Sequence, residues 1–239
     1  MKGYVITLDN DNSKQLANTL RESVEKTNTQ LELVAYRASC PESFSEDSLH
    51  SFGKTIPWTF PSSEAENKMH FETGLWLKYY PAVDQMRVKS CALSHFRLWK
   101  KSVDENDTFV VLEHDALFVK KFDPNNYIHK KWGVLGLNTP LGNTRKAQRY
   151  HQQIESQGKG IHDIPRVDFE GEAPLPMGLA GNSAYVIKPH AAAKLLEKVE
   201  ELGMWPNDAL MCKQLFPGLL KQVYPYYTDT QPNKSSTTQ

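Results

Sequence analysis

The sequence predicts an α/β fold: one domain with a mainly parallel central sheet, helices on its faces and two long loops. Two observations carry this. Near the start, a β-rich run, a helix-period run and a second β-rich run follow within about 35 residues, the spacing of a βαβ unit with parallel strands. Near the end, "GNSAYVIKPHAAAKLLEKVEEL" (181–202) is again strand, then helix. Its Pro189 falls at a first helical position, where a missing N–H is harmless. Strands alternating with helices, with no internal repeat, fit a layered α/β domain.

Each element follows from local pattern. "GYVITL" (3–8) is a strand ending in the polar turn "DNDNS". In "SKQLANTLRESVEKTN" (13–28), Leu16, Leu20 and Val24 lie four apart, on one helical face. "LELVAY" (31–36) is the second strand. Residues 39–84 are rich in Ser, Pro and acids and lack periodicity, which predicts a long loop with at most a short helix. Such loops serve as lids or binding loops, and Trp58, Phe60, Trp76 and Tyr79 give this one something to pack. "SCALSHFRLWKKSV" (90–103) puts Ala92, Leu93, Phe96, Trp99 and Val103 on one helical stripe. "TFVVL", "ALFV" and "WGVLGLN" (132–138) are strands. Residues 139–180 form the second long loop, rich in Gly, Pro, Arg and Lys. "NDALMCKQLF" (207–216) is a short helix capped by Asn207 or Asp208, and "KQVYPYYTDTQPNKSSTTQ" a final strand and polar tail. The expected boundaries are a domain over 1–232 and a tail over 233–239.

Composition narrows the function. The 239 residues carry 28 basic and 28 acidic side chains, a formal net charge of zero. This disfavours a surface given over to nucleic acid, while a local basic patch stays possible. Cys40, Cys91 and Cys212 form no CxxC pair and read as reduced, packed thiols. A strand begins almost at the first residue, with no apolar leader or membrane-length run, so the expectation is a soluble, cytoplasmic protein. There is no GxSxG and no Gly-rich phosphate loop, so hydrolase and kinase readings find no support.

The most informative stretch is "FVVLEHDALFV" (109–119), with Glu113, His114 and Asp115 inside an apolar run. Charges removed from water cost several kcal/mol unless paired or metal-bound. In a strand, residues two apart share a side, so Glu113 and Asp115 would face together. Such a pair can hold a hard divalent cation, Mg²⁺ or Mn²⁺, which prefers oxygen ligands and bridges phosphates. The carboxyl end of a parallel strand is where open α/β sheets bind ligands. The plainer alternative is a strand that ends at His114 with its charges in solvent.

Four blocks, "CALSHFRLWK", "TFVVLEHDALF", "GNSAYVIKPHAAAKLL" and a helix opening at "PNDAL", resemble glycosyltransferase family 25 in order and spacing. "VITLDND" and "LELVAYRA" also fit its first βαβ unit. The resemblance covers most of the chain, with 39–84 and 139–180 matching poorly. It implies a GT-A-like domain with a Rossmann-like sheet, a nucleotide-sugar donor, with a UDP-sugar as the expected one, and a divalent metal. Asp115 would ligate the metal, with Glu113 on the ribose or supporting the metal shell. Ser94 and His95 would lie near the donor, His95 being otherwise an ordinary half-buried helical histidine, and Gly181 and Asn182 would open a strand beside it or form a plain turn. Asp208 would be the base that deprotonates the acceptor; otherwise it is an acid stabilised by a helix N-terminus. Gln231 and Ser235 resemble late family residues near the diphosphate. The chain departs from the family at His114, which replaces an acid, at the missing Arg after the first strand, and in "RVKSC".

Two acceptors remain open. The resemblance implies a glycan, in lipopolysaccharide-type synthesis. The segment 143–162 instead sets Arg145, Lys146 and Arg149 beside Tyr150, a pattern that can bind phosphates and stack on a base. That pattern admits hydroxymethylated DNA as acceptor, although charge runs are usually solvated. A degenerate, non-catalytic sugar-nucleotide binder is the remaining alternative.

Overall fold

The computed structural model describes residues 1–41, 55–81, 84–168 and 170–232. Part of the first expected loop and the whole expected tail, 233–239, lie outside the described residues.

The opening unit is β1 (Lys2–Thr7), α1 (Asp11–Lys26) and β2 (Glu32–Arg37). The Asn10 side chain caps α1, accepting from the Ser13 N–H at 2.8 Å, which satisfies one of the helix's orphan donors. β1 and β2 pair in parallel, and β5 (Phe109–Glu113) pairs in parallel on the other side of β1. The remaining sheet strands are β7 (Val134–Gly136), β8 (Gly160–Asp163), β9 (Ala184–Ile187) and β10 (Leu220–Tyr224). The sheet order is β2-β1-β5-β9-β7-β10-β8. Pairing directions set β2, β1, β5, β7 and β10 one way and β9 and β8 the other, so the sheet is mainly parallel.

Helices cover both faces. α2 (Gln85–Glu105) and α4 (Pro189–Leu202) pack together on one, burying Ala92, Leu93, Phe96, Trp99, Leu195 and Val199. α1 lies on the other, where Leu20 and Val24 meet Phe118 and Phe122. Each such fully buried large side chain contributes roughly 1.5–3 kcal/mol. Val103, expected on the buried stripe, is instead 37% exposed near the end of α2.

Both expected loops contain regular structure. The first holds a 3₁₀ turn at Glu64–Glu66 and a hairpin of β3 (Lys68–His70) and β4 (Leu75–Leu77). It buries Ile56, Phe60, Leu75 and Leu77. Thr59 pins it to the end of α4, its Oγ1 donating to the Leu202 carbonyl at 2.7 Å and accepting from Trp205 Nε1 at 2.9 Å. Gly203 makes this approach possible: with φ +87°, a Cβ there would lie 2.4 Å from Thr59 Cγ2. The second loop holds α3 (Ala147–Glu155) and β8. The final segment is two strands, β10 and β11 (Thr228–Thr230), and β11 leaves the main sheet to pair with β6 (Ala116–Phe118). Among the described residues, no helix is long and apolar enough to cross a membrane.

Candidate active site

The carboxyl ends of β1, β2 and β5 and the start of β9 meet along one edge of the sheet. β5 lies between β1 and β9, and the Glu113 N–H donates to the Ser183 carbonyl at 2.8 Å, beyond the last β9 pair. The strand ends at Glu113, and His114 and Asp115 form a turn into β6. Strand alternation therefore does not bring Glu113 and Asp115 together, as expected from sequence; the turn does.

Glu113 is held from α2. His95 Nε2 lies 3.1 Å from Glu113 Oε1, and His95 Nδ1 lies 2.8 Å from the Tyr185 hydroxyl. Trp99 Nε1 donates to that same hydroxyl at 2.8 Å. An indole N–H can only donate. Tyr185 therefore accepts from Trp99, and its hydroxyl links that indole to the imidazole whose Nε2 faces the carboxylate. His95, Trp99 and Tyr185 are all fully buried, so this chain has no water to compete with it. Enclosure pushes the Glu113 pKa up, but the His95 hydrogen bond and the nearby histidine charges outweigh it and hold the group below its ordinary value.

The neighbouring acids behave differently. Asp115 is pushed up to about 7, first by loss of hydration and then by the Glu113 charge. Its Oδ1 is buried and has no hydrogen-bond partner among the described residues. Asp208 lies in α5 (Asn207–Leu210) and is also raised, by crowding and by the Glu113 charge, against hydrogen bonds from Tyr80 and the Ala209 N–H. Its side chain still reaches solvent, so the setting is a crowded recess, not a sealed interior. The Cys91 thiol is pushed well above its ordinary value by enclosure, then by the charges of Glu113, Asp208 and Asp115. One thiol sensing all three acids places α2, the β5 turn and α5 around a single recess. The His114 pKa is lowered by enclosure, opposed by the Glu113 charge and a hydrogen bond with the Ile6 backbone.

The expected cap of α5 is absent. Pro206 occupies the cap position, and Asn207 and Asp208 lie within the first turn. From there Asp208 accepts from the adjacent Ala209 N–H, at 3.0 Å, and does not cap the helix. The helix also stops at Leu210, short of the expected 216.

Asn182 follows Gly181, whose φ of +75° allows the turn into β9. Asn182 is 7% exposed, and neither atom of its amide has a partner among the described residues. Its neighbour Ser183 is fixed by Asn138, which in turn accepts from Thr228. Ser94 has a different setting: its hydroxyl donates to the Ser90 carbonyl and accepts from the Ser39 N–H, both at 2.9 Å. Its hydrogen bonds join α2 to the segment after β2.

Two donor sets can be tested against a cation. Glu113 and Asp115 offer carboxylate oxygens, one of them unpartnered, which fits Mg²⁺ or Mn²⁺. Cys91, His95 and Glu113 also bring one ligand atom each within 4.8 Å of one another. That sulfur, nitrogen and oxygen set suits a softer metal such as Zn²⁺, and it requires a thiol held protonated to lose its proton.

The sequence matches a family model described as glycosyltransferase family 25 (LPS biosynthesis protein) over residues 1–211. The chain belongs to glycosyltransferase family 25. No curated protein matches it. Among solved structures it is similar to the galactosyltransferase LgtC in complex with donor and acceptor sugar analogues. The identity is 9%, coverage is 98% of this chain and 87% of that one, and the TM-score is 0.46. It is also similar to the glycosyltransferase GlyE of Streptococcus pneumoniae TIGR4, at 11% identity, 93% and 44% coverage and a TM-score of 0.39.

In this family 25 protein, the basic segment is engaged with its own acids. Arg145 is paired with the nearly buried Asp168, and Lys146 with Glu172. Gln231 does not reach into the recess as a side chain. Its Nε2 donates to the Leu16, His114 and Ala116 carbonyls, at 2.9, 3.3 and 3.2 Å, and its N–H donates to the Asp115 carbonyl at 2.8 Å. Tyr80, Tyr185 and Trp99 were missed as site residues. Only the closeness of Tyr80 to Asp208 and of Tyr185 to His95 reveals them, and both are long-range contacts.

Proposed function

We propose that this glycosyltransferase moves a sugar from a nucleotide-sugar donor, a UDP-sugar by preference, to a hydroxyl of a glycan acceptor, with inversion. The observation that carries this is the unpartnered, enclosed Asp115 Oδ1 beside Glu113, with the unpartnered Asn182 amide among the same converging segments. Buried polar groups are almost always satisfied, so these atoms mark where a ligand supplies the partners. Asp115 and Glu113 would hold Mn²⁺ or Mg²⁺, which when bound offsets the charge of the leaving diphosphate.

The chain's own residues supply the rest. Asp208 accepts the proton of the acceptor hydroxyl. The acceptor oxygen bonds to the anomeric carbon as the bond from that carbon to the diphosphate oxygen breaks, and the nucleoside diphosphate leaves with the bonding pair. A single displacement needs no protein nucleophile and inverts the configuration. The Asn182 amide is suited to donate to donor oxygens, and His95, backed by Tyr185 and Trp99, keeps Glu113 ionised and fixed. Ser94 positions α2 against the β2 segment. The ion pairs of Arg145 and Lys146 favour the glycan over DNA as acceptor, since a phosphate backbone would have to displace Asp168 and Glu172.

The test is nucleoside diphosphate release across a panel of nucleotide sugars, with oligosaccharide and hydroxymethylated-DNA acceptors in parallel. Release that depends on an oligosaccharide and on Mn²⁺ or Mg²⁺ is expected. Donor binding without turnover on any acceptor would establish the non-catalytic alternative.

A further inference from the structure

The edge of the sheet opposite the active site carries a second concave feature. A cavity of about 490 Å³ is lined by Lys130, Lys131, Trp132, Lys188, His190 and Lys221, with Gly133, Gly218 and Leu219 completing the wall. It lies where β7 and β10 begin and β9 ends, the reverse of the edge that holds Glu113. No carboxylate is among its lining residues. The chain as a whole has zero formal net charge, so this concentration of one sign does not follow from overall composition.

The site is built, not merely decorated with loose lysines. Lys188 Nζ lies 4.1 Å from the centre of the Trp132 ring and donates to the Lys130 carbonyl at 2.9 Å. Both contacts hold the ammonium in place. Lys130 leans on the Tyr127 ring at 5.2 Å. Lys221 is bonded to Asp163, a well-exposed acid outside the lining, at 2.6 Å. α4 starts at Pro189, between the lining residues Lys188 and His190, adding the positive end of a helix dipole. The pKa values of Lys188 and His190 are both lowered, by lost hydration and, for His190, by the charges of Lys188 and Lys194. An anion bound here would offset the lysine charges that His190 senses.

We propose that this cavity is a binding site for a phosphate-bearing anion, separate from the donor site and on the opposite edge of the sheet. Either a soluble phosphorylated compound or the phosphate headgroup of a membrane lipid can supply that chemistry. Held at this edge, the ligand leaves the recess around Glu113, Asp115 and Asp208 open to donor and acceptor.

Calorimetric titration with inorganic pyrophosphate in EDTA tests the site, and flotation tests the source, using phosphatidylcholine vesicles with and without phosphatidylglycerol. The variants are Lys130→Glu/Lys131→Glu, both exposed and so compatible with folding, and Asp115→Ala. The wild type and Asp115→Ala are expected to bind pyrophosphate, more weakly as salt rises, and the lysine variant at least tenfold more weakly. Pyrophosphate binding without flotation supports a soluble ligand. Flotation that requires phosphatidylglycerol and these lysines supports a lipid headgroup. The proposal is overturned if the lysine variant behaves as wild type in both assays, if Asp115→Ala alone abolishes pyrophosphate binding, or if neither probe binds.

Discussion

His95 Nε2 stands 3.1 Å from Glu113 Oε1, while Tyr185 holds the far side of the same imidazole at 2.8 Å. Tyr185→Phe removes the hydroxyl shared by His95 and Trp99 and leaves two buried groups unpaired. A stability loss of about 1–3 kcal/mol is expected, read as a lower urea midpoint. An unchanged midpoint would show that the chain from Trp99 to Glu113 does not hold the site.

Asp115 makes stability depend on pH. Its folded pKa of about 7 exceeds the ordinary 3.8, so the folded state binds the proton more tightly. The contribution of this group is then greatest below about pH 4, falls as pH rises through about 7, and levels off beyond. At about pH 8 without metal, Asp115→Asn is expected to melt roughly 2–4 °C above wild type, on the order of 1 kcal/mol; partial hydration of the carboxylate keeps the effect this small. UDP with Mn²⁺ should stabilise the wild type far more than the variant. Melting curves that coincide at that pH would sink the prediction.

With Asp208 as the base, as proposed, Tyr80 and Asp208 are expected to govern the acid limb of the rate profile. A base works only when deprotonated, so kcat should fall as pH drops through the raised Asp208 pKa. The Tyr80 hydrogen bond opposes that rise, so Tyr80→Phe should move the limb to higher pH. Asp208→Asn should lower kcat by about 10²–10⁴ while donor affinity holds. A Tyr80→Phe profile that does not move would remove Tyr80 from this role.

Cys91→Ser separates the two cation sets. If Glu113 and Asp115 hold Mn²⁺, the variant binds Mn²⁺ with UDP as wild type does. Titration with Co²⁺ gives a second reading, because a thiolate ligand adds an intense sulfur-to-metal charge-transfer band. The expected result is no such band; its appearance in wild type and loss in Cys91→Ser would assign the metal to Cys91, His95 and Glu113.

The basic segment is expected to be inert toward DNA. Arg145→Ala/Lys146→Ala/Arg149→Ala and wild type should bind duplex DNA equally weakly, with the same slope of log affinity against log salt. A gel-shift series checks this; a shallower slope in the variant would restore these residues as phosphate contacts.

The first βαβ unit and β9 with α4 could be read from sequence because their signals are local: Leu20 and Val24 four apart, and Pro189 opening a helix. α3 escaped notice because Tyr150 and Ile154 are its only buried side chains among polar neighbours. β8 is a short strand at the sheet edge, paired among the described residues with β10 alone. In the recess, Glu113 and Asp115 were visible as charges inside an apolar run. Tyr80 and Tyr185 were not, because their roles arise from contacts between segments far apart in the chain, and hydrophobic patterning says nothing about which distant acid or imidazole an aromatic hydroxyl meets.

The bonds from Gln231 to the 114–116 backbone give the protein an order of events. The acidic turn leaves the ribosome early, yet the residue that fastens it to β11 and α1 is made 117 positions after His114. Until that residue emerges, the β1-β2-β5 layer can pack while the turn beside it stays untied. A chain clipped just before Gln231 would keep the β1-β2-β5 pairing and lose the bonds that tie the turn holding Asp115. The ties on this acidic turn are therefore among the last that the growing chain can make.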